Sequence, residues 1–334
     1  MATLTKTLSR PTVEPGAHPI DTTRYLVSTP PIGLFLDAAC NWINNRVPGA
    51  TVYGKPRHGK TRAIKFLRLM LAEKFGSHLP VITLSCLNYT KPREGVFFED
   101  LLRAAGHTLH DRGTAAAKRH RLNEFLVEKI ERSGQDRLIL FLDEAQRLHE
   151  QHYNWLIDLH NELDARNQVL IVFLVGQEQL LHQFSVFQKT AKTQIIGRFM
   201  VHQLRFPGIA SEKDMRFCLA NYDVESEYPP GSGFSFTRYY FPAAFESGLR
   251  LEAYAPMAWQ AFREVREEYL LPIKREIPMQ YLCRTVEYVL RKFGTLEDSP
   301  SQLTPAQWKE AIKRSGYTDA ERYVVDGEKH ERES

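Results

Sequence analysis

The segment Gly54 to Thr61, GKPRHGKT, constrains this chain more than any other, because it keeps a G-x-x-x-x-G-K-T spacing in a readable context. Before it runs ATVY, short and apolar; after it comes TRAIKFLRLMLAEKF, where Ile64, Leu67, Leu71 and Phe75 recur at helical spacing. Strand, loop and helix in that order let consecutive backbone N–H groups curl into a nest, to which the helix N-terminus adds partial positive charge. Such a nest accepts phosphate. Gly54, Lys55, Pro56, Arg57, His58, Gly59, Lys60, Thr61 and Arg62 are therefore read as nucleotide-binding, with ATP the expected nucleotide. Lys60 is aimed at the β- and γ-phosphates, and the Thr61 hydroxyl is expected on Mg²⁺. A basic surface turn would account for the charges but not for the pattern on both sides of them.

This chemistry needs an acidic partner, and RLILFLDEAQRL supplies one. An apolar strand delivers Asp143 to its C-terminal end, where parallel sheets bind ligands, and Asp143 is expected to share the Mg²⁺ with Thr61. Glu144 beside it is expected to polarise the attacking water. A solvated acidic turn is the plainer alternative, disfavoured by the position at the end of an interior strand. Gln177 follows the apolar run VLIVFLVG and is placed to bridge the γ-phosphate or the water to neighbouring loops; otherwise it is a polar residue opening a helix. Arg198, in TQIIGRFMVHQL, is placed to reach the nucleotide of an adjacent subunit as an arginine finger. Lys60, Glu144, Gln177 and Arg198 form the expected catalytic set.

Further strands read at LPVITLSC, DRLILFLDE, QVLIVFLVG and FMVHQLRF, separated by helical stretches. Such alternation implies an α/β fold with a central, mostly parallel five-stranded sheet flanked by helices. The expected organisation is an extended arm over residues 1–30, an α/β core over 31–228, a small helical lid over 229–293 and a charged tail over 294–334, with the boundary at the Pro- and Gly-rich ESEYPPGSGFS. A short histidine-rich feature carries less: HEQH, at 149–152, is one residue short of a zinc-protease spacing and reads as a helix cap. Four scattered cysteines without a C-x-x-C pair, and the lack of an apolar run long enough to span a bilayer, lead us to expect a cytoplasmic protein with no membrane partner.

Taken in order, the phosphate loop, DEAQ at 143–146, the polar residue after the fourth strand and GRF at 197–199 resemble an AAA+ ATPase, a P-loop NTPase with a helical lid. Within that superfamily the chain is similar to the TnsC/TniB group of transposition regulators, on VYGKPRHGKTRA, LFLDEAQRL and the lid segments YYFPAAFESGLRLEAYAPMAWQAF and PMQYLCRTVEYVL. That resemblance covers roughly residues 20–293. It implies an ATP-dependent oligomer, a head-to-tail ring or helical filament on double-stranded DNA, that couples a target-selection protein of TniQ type to a transposase. It also implies a lid arginine at the nucleotide, for which Arg284 is the candidate and Arg250 stands behind it. Gln177 departs from the Asn, Ser or Thr common at its place.

Lysine and arginine total 44 against 40 acidic residues, so net charge alone argues little for nucleic acid. Clusters argue more. Lys91 and Arg93 open the stretch after the second strand, and Lys118, Arg119 and Arg121 form a second group; both are read as sequence-independent contacts to the DNA backbone, with ordinary solvated faces as the alternative. Two rival functions remain at this stage. One is a replication initiator or clamp loader, although residues 229–334 show no hairpin signal for a winged helix. The other is a signalling or scaffold ATPase that does not bind DNA.

Overall fold

In the computed structural model, residues 10–272, 275–294 and 302–333 are described, so the first nine residues of the expected arm and residues 295–301 and 334 of the expected tail lie outside. Five strands form one sheet: β1 (Gly49–Tyr53), β2 (Val81–Ser85), β3 (Arg137–Asp143), β4 (Val169–Gly176) and β5 (His202–Arg205). Their order is β2-β3-β4-β1-β5, and every pairing is parallel. β4 thus lies between β1 and β3, so the tips of the three strands that lead into the phosphate loop, Gln177 and Asp143 are neighbours.

Burial on both faces explains why β3 and β4 read as unbroken apolar runs. Alternate residues serve two separate cores. Leu138, Leu140, Leu142, Leu170, Val172 and Leu174 pack on one side, while Ile139, Phe141, Ile171, Phe173 and Val175 pack on the other. The helices Pro30–Asn44 and Lys60–Phe75 contribute Phe35, Ala39, Ile64, Leu67 and Leu71 to the second core. The helices Glu94–Ala105, Ala115–Ser133 and Glu150–Asp164 cover the first, with Phe97, Leu122, Leu126, Tyr153 and Leu156 fully or almost fully buried. Each fully buried side chain of this size stabilises the fold by about 1.5–3 kcal/mol, which fixes the sheet that carries the site.

The chain divides into two compact units, Pro31–Pro207 and a second built from residues 1–30 together with 208–334. This differs from the expected boundary at 228. The helix Glu212–Asp223 places Met215, Cys218, Leu219 and Tyr222 in the core of the second unit, and ESEYPPGSGFS is a connection inside that unit. The arm differs too. Residues 10–30 are packed rather than extended at large: Ile20 is fully buried, and His18 sits among the rings of Tyr228, Phe236, Tyr239 and Tyr240. Burial holds the His18 imidazole down at about 4, opposed by the nearby Asp21 carboxylate. Aromatic packing of this kind leaves no periodic trace in a Pro- and Thr-rich segment.

The expected tail is likewise built in. Helix Pro305–Arg314 opens on a capping box between Thr304 and Gln307 and buries Trp308, Ala311 and Ile312 in the same core, joined by Tyr317. Its charge lies on the other face of the helix, which is why composition alone reads it as a tail. Among the described residues this unit has isolated bridges at Ile209 with Ile277 and Glu227 with Ser235, and no longer strand.

Candidate nucleotide site

β1 ends at Tyr53, and the phosphate loop begins at Gly54, whose N–H donates to the Gly176 carbonyl at the end of β4 (3.2 Å). On its other side Gly54 presses against the segment leaving β5. A Cβ at this position would come within 2.2 Å of the Phe206 carbonyl oxygen, so no other residue fits without moving backbone. Arg57 is held at φ 66°, Gly59 turns the loop at φ 103°, and the helix Lys60–Phe75 starts at once. His58 is buried with Nδ1 3.4 Å from the Phe206 carbonyl. Lys55 is half-buried, while Pro56, Arg57 and Arg62 are exposed around the rim.

The Lys60 side chain turns back into the loop and donates to the Gly54 and Lys55 carbonyls at 2.7 and 2.8 Å. Burial lowers its pKa to about 8, against the opposing pull of Glu144, Asp143 and Glu178. An ammonium in this setting rests on neutral dipoles, with no carboxylate in contact among the described residues. Thr61 Oγ1 donates to Asp143 Oδ2 at 2.7 Å, across the tips of the strands. Burial raises the Asp143 carboxyl, while the Thr61 hydroxyl and the Glu144 N–H work against that rise. A hydroxyl and a carboxylate held together at a phosphate loop are hard oxygen donors of the kind that suits Mg²⁺, so the residues present fit that ion.

Glu144 follows in the left-handed region at φ 56°, a conformation costing about 1–3 kcal/mol in a non-glycine residue and kept only where neighbours enforce it. Its Oε2 accepts from Gln146 Nε2 at 2.8 Å, with Gln177 Nε2 at 3.5 Å and Arg147 Nη2 at 3.7 Å. Gln177 therefore lies beside Glu144, and its N–H donates to Gln146 Oε1 at 3.0 Å. Gln146, Arg147 and Gln183 are neighbours of the site that sequence reasoning missed. Gln183 Nε2 donates to the carbonyls of Gln146 and Leu148, both at 2.9 Å. The DEAQ string contained the signal for Gln146, but only the turn after β3 shows where its amide goes.

Other expected residues have different partners. Arg198 sits in the short turn Ile196–Met200, where Nη2 donates to Asn161 Oδ1 at 2.7 Å. Arg284 belongs to the helix Met279–Phe293 of the second unit and donates to the Ser315 carbonyl at 3.4 Å. Arg250 spans the Phe245 and Leu249 carbonyls and lies 3.4 Å over the Phe245 ring. HEQH is a cap: the His149 N–H donates to His152 Nδ1 at 2.9 Å, and His149 Nε2 is 2.7 Å from the Tyr89 carbonyl. Among the described residues no group of three His, Cys, Asp or Glu side chains could hold a metal.

The two basic clusters differ. Lys91 and Arg93 are exposed in the loop before the helix Glu94–Ala105. Lys118 corrects its expected role: the helix Ala115–Ser133 packs against Glu94–Ala105, burying Lys118, whose ammonium donates to Glu99 Oε2 at 2.6 Å. That ammonium holds the Glu99 carboxyl below its ordinary value. Arg119 pairs with Glu94 at 3.3 Å, and Arg121 donates to the Leu109 and Arg112 carbonyls at 2.8 and 2.7 Å.

A five-stranded parallel sheet in this order, with the phosphate loop after β1 and the Asp-Glu pair after β3, defines an α/β P-loop NTPase fold. Residues 49–184 match the family described as AAA domain. No curated protein matches the sequence. Among solved structures, the ADP form of the Aeropyrum pernix ORC2 protein is similar over 88% of this chain and 71% of its own, at 14% identity and a TM-score of 0.56, which is a likeness of fold. Looser similarities reach the Cdc6p of Pyrobaculum aerophilum (14% identity, 88% of this chain and 87% of that one, TM-score 0.41) and Drosophila ORC bound to DNA (11%, 79% and 40%, TM-score 0.46). No helix among the described residues is long and apolar enough to cross a membrane.

Proposed function

We propose that this chain is an ATPase that assembles head to tail on double-stranded DNA and uses ATP to time that assembly. One observation carries the reading: Lys60, the Thr61–Asp143 pair, Glu144 and Gln177 converge at three adjacent strand tips. Lys60 exchanges its carbonyl partners for the β- and γ-phosphate oxygens of ATP, a stronger, charge-assisted contact. Thr61 and Asp143 hold Mg²⁺, which supplies charge neutralisation at the phosphates. Glu144 takes up the proton of the attacking water, and Gln177 orients that water. Arg198 leaves Asn161 to stabilise the transition state of the neighbouring subunit's nucleotide, and Arg284 is the candidate for the lid arginine that the resemblance implies. An active site completed by a neighbour makes the contact heterologous, so the assembly closes as a ring or continues as a filament. ATP then favours assembly by mass action.

Lys91 and Arg93 meet the DNA backbone in this reading. Two roles fit such an assembly. Resemblance in the phosphate loop, LFLDEAQRL and the lid segments supports a regulator of DNA transposition that links a TniQ-like target-selection protein to a transposase. The likeness to ORC2 supports an initiator-like role instead, and it is the better supported of the two by solved structures. Electron microscopy of the protein with and without DNA and a non-hydrolysable ATP analogue tests the common core. Nucleotide-dependent rings or filaments on DNA are expected; assembly indifferent to both would favour a scaffold that does not bind DNA. Glu144→Gln should bind ATP normally and hydrolyse it about a hundredfold more slowly or worse in a turnover assay. Mixing Arg198→Ala with Lys60→Ala, each inactive alone, should restore turnover at interfaces that pair an intact loop with an intact finger. Pull-down with a transposase or with replication proteins separates the two roles.

A further inference from the structure

The side chain of Gln146 joins two parts of the site. One end, Nε2, donates to Glu144 Oε2 at 2.8 Å; the other, Oε1, accepts the Gln177 N–H at 3.0 Å. Its backbone is fixed as well, because Gln183 holds the Gln146 carbonyl while accepting the Tyr153 hydroxyl at 2.9 Å, and Tyr153 is fully buried. The space for this amide is provided by Gly176, the last residue of β4. A Cβ there would come within 2.3 Å of Gln146 Oε1 and 2.8 Å of Leu180 Cδ1. The end of β4 thus lacks a side chain where the Gln146 amide crosses.

We propose that Gln146 is a positioning residue for hydrolysis: it fixes the Glu144 carboxylate against the end of β4, so that one oxygen is held and the other is presented to the attacking water, in register with Gln177. A free carboxylate on a two-torsion stem samples several rotamers, and only one faces the water. Holding Oε2 removes that freedom before ATP arrives. Arg147, at 3.7 Å from the same oxygen, adds charge but a poorer hydrogen bond. The role acts on turnover, because the Gln146 side chain bonds Glu144 and Gln177 and none of Lys60, Thr61 or Asp143.

The inference rests on the ATPase reading, and its test separates the two. kcat, KM for ATP and melting temperature are measured for the full chain and for Gln146→Ala, Gln146→Glu, Gly176→Ala and Gln146→Ala/Gly176→Ala. Gln146→Ala should lower kcat roughly tenfold to a hundredfold with KM within about twofold, the scale of a misoriented catalytic group. Gln146→Glu keeps the acceptor for Gln177 but loses the donor to Glu144, and should fall at least as far. Gly176→Ala should show the same kcat loss by displacing the amide, and adding it to Gln146→Ala should lower kcat little further, since the nearest atom it strikes is then gone and the next, Leu180 Cδ1, is the free end of a side chain. Parent-like kcat in both Gln146 variants overturns the proposal. So does a loss in which KM and melting temperature deteriorate along with kcat, which marks a role in the fold alone. A parent protein without ATP hydrolysis overturns the ATPase reading and this inference with it.

Discussion

Lys60 and Lys118 are both buried lysines on helices flanking the same sheet, and their surroundings give them opposite availability. Lys60 rests on two backbone carbonyls with its pKa lowered by burial, so an incoming anion improves its lot. Lys118 already has the Glu99 carboxylate at 2.6 Å and has nothing to gain from a phosphate. What makes a buried cation a binding group is therefore the nature of its resting partner, and neither burial nor residue type reports it.

The largest effect expected from this comparison is in nucleotide affinity. Lys60→Ala should weaken ATP binding by at least about a hundredfold, while Lys118→Ala leaves it unchanged; a fluorescent-nucleotide titration decides, and equal losses would break the contrast. Next comes DNA. Replacing the exposed Lys91 and Arg93 with Ala should reduce the slope of log affinity against log salt by about one unit each, on any sequence, whereas Lys118→Ala should leave the slope alone. If Lys118→Ala lowered the slope instead, its ion pair would be open in solution. Smaller still is the stability change. Lys118→Ala should cost about 1–2 kcal/mol in urea denaturation, below the value for a fully enclosed pair because Glu99 is a quarter exposed and also meets Arg103 at 2.7 Å.

The smallest effect concerns pH. Glu99 has its carboxyl lowered by Lys118 from an ordinary 4.5, so the pair contributes fully above that pH and the contribution is lost as pH falls through the folded value. The stability gap between Lys118→Ala and the parent should accordingly narrow as buffers are taken below pH 4.5. A gap that stays constant to lower pH would show that the methylene stem of Lys118, rather than its charge, does the stabilising.

The phosphate loop, the Asp-Glu pair, Gln177 and all five strands were legible because each is a local pattern: apolar runs of strand length, and polar residues at their C-terminal ends. The availability of Lys118 was not legible, since Glu99 lies on a separate helix and only helix packing brings it within reach. Nor was the crossing of Gln146 over Gly176, two positions 30 residues apart that meet where β3 and β4 end together. Residues 10–30 were misread for a different reason. They have no period to detect, because their contacts are scattered: a histidine among aromatic rings, one buried isoleucine and the Tyr25 hydroxyl on Tyr222 and Glu287.

That last feature bears on how the molecule comes to be. Residues 1–30 share a compact unit with 208–334, and the whole of Pro31–Pro207 is synthesised in between. As the chain leaves the ribosome, the nucleotide-site unit has all its strands in hand before the partners of His18 and Ile20 exist. The early segment must wait, unpaired, for Tyr228, Phe236 and Tyr239, and closing so long a loop is slow compared with forming the local contacts of the sheet and its helices. A stalled or truncated product would then hold a finished phosphate loop with the second unit unfinished and residues 10–30 left open to proteases.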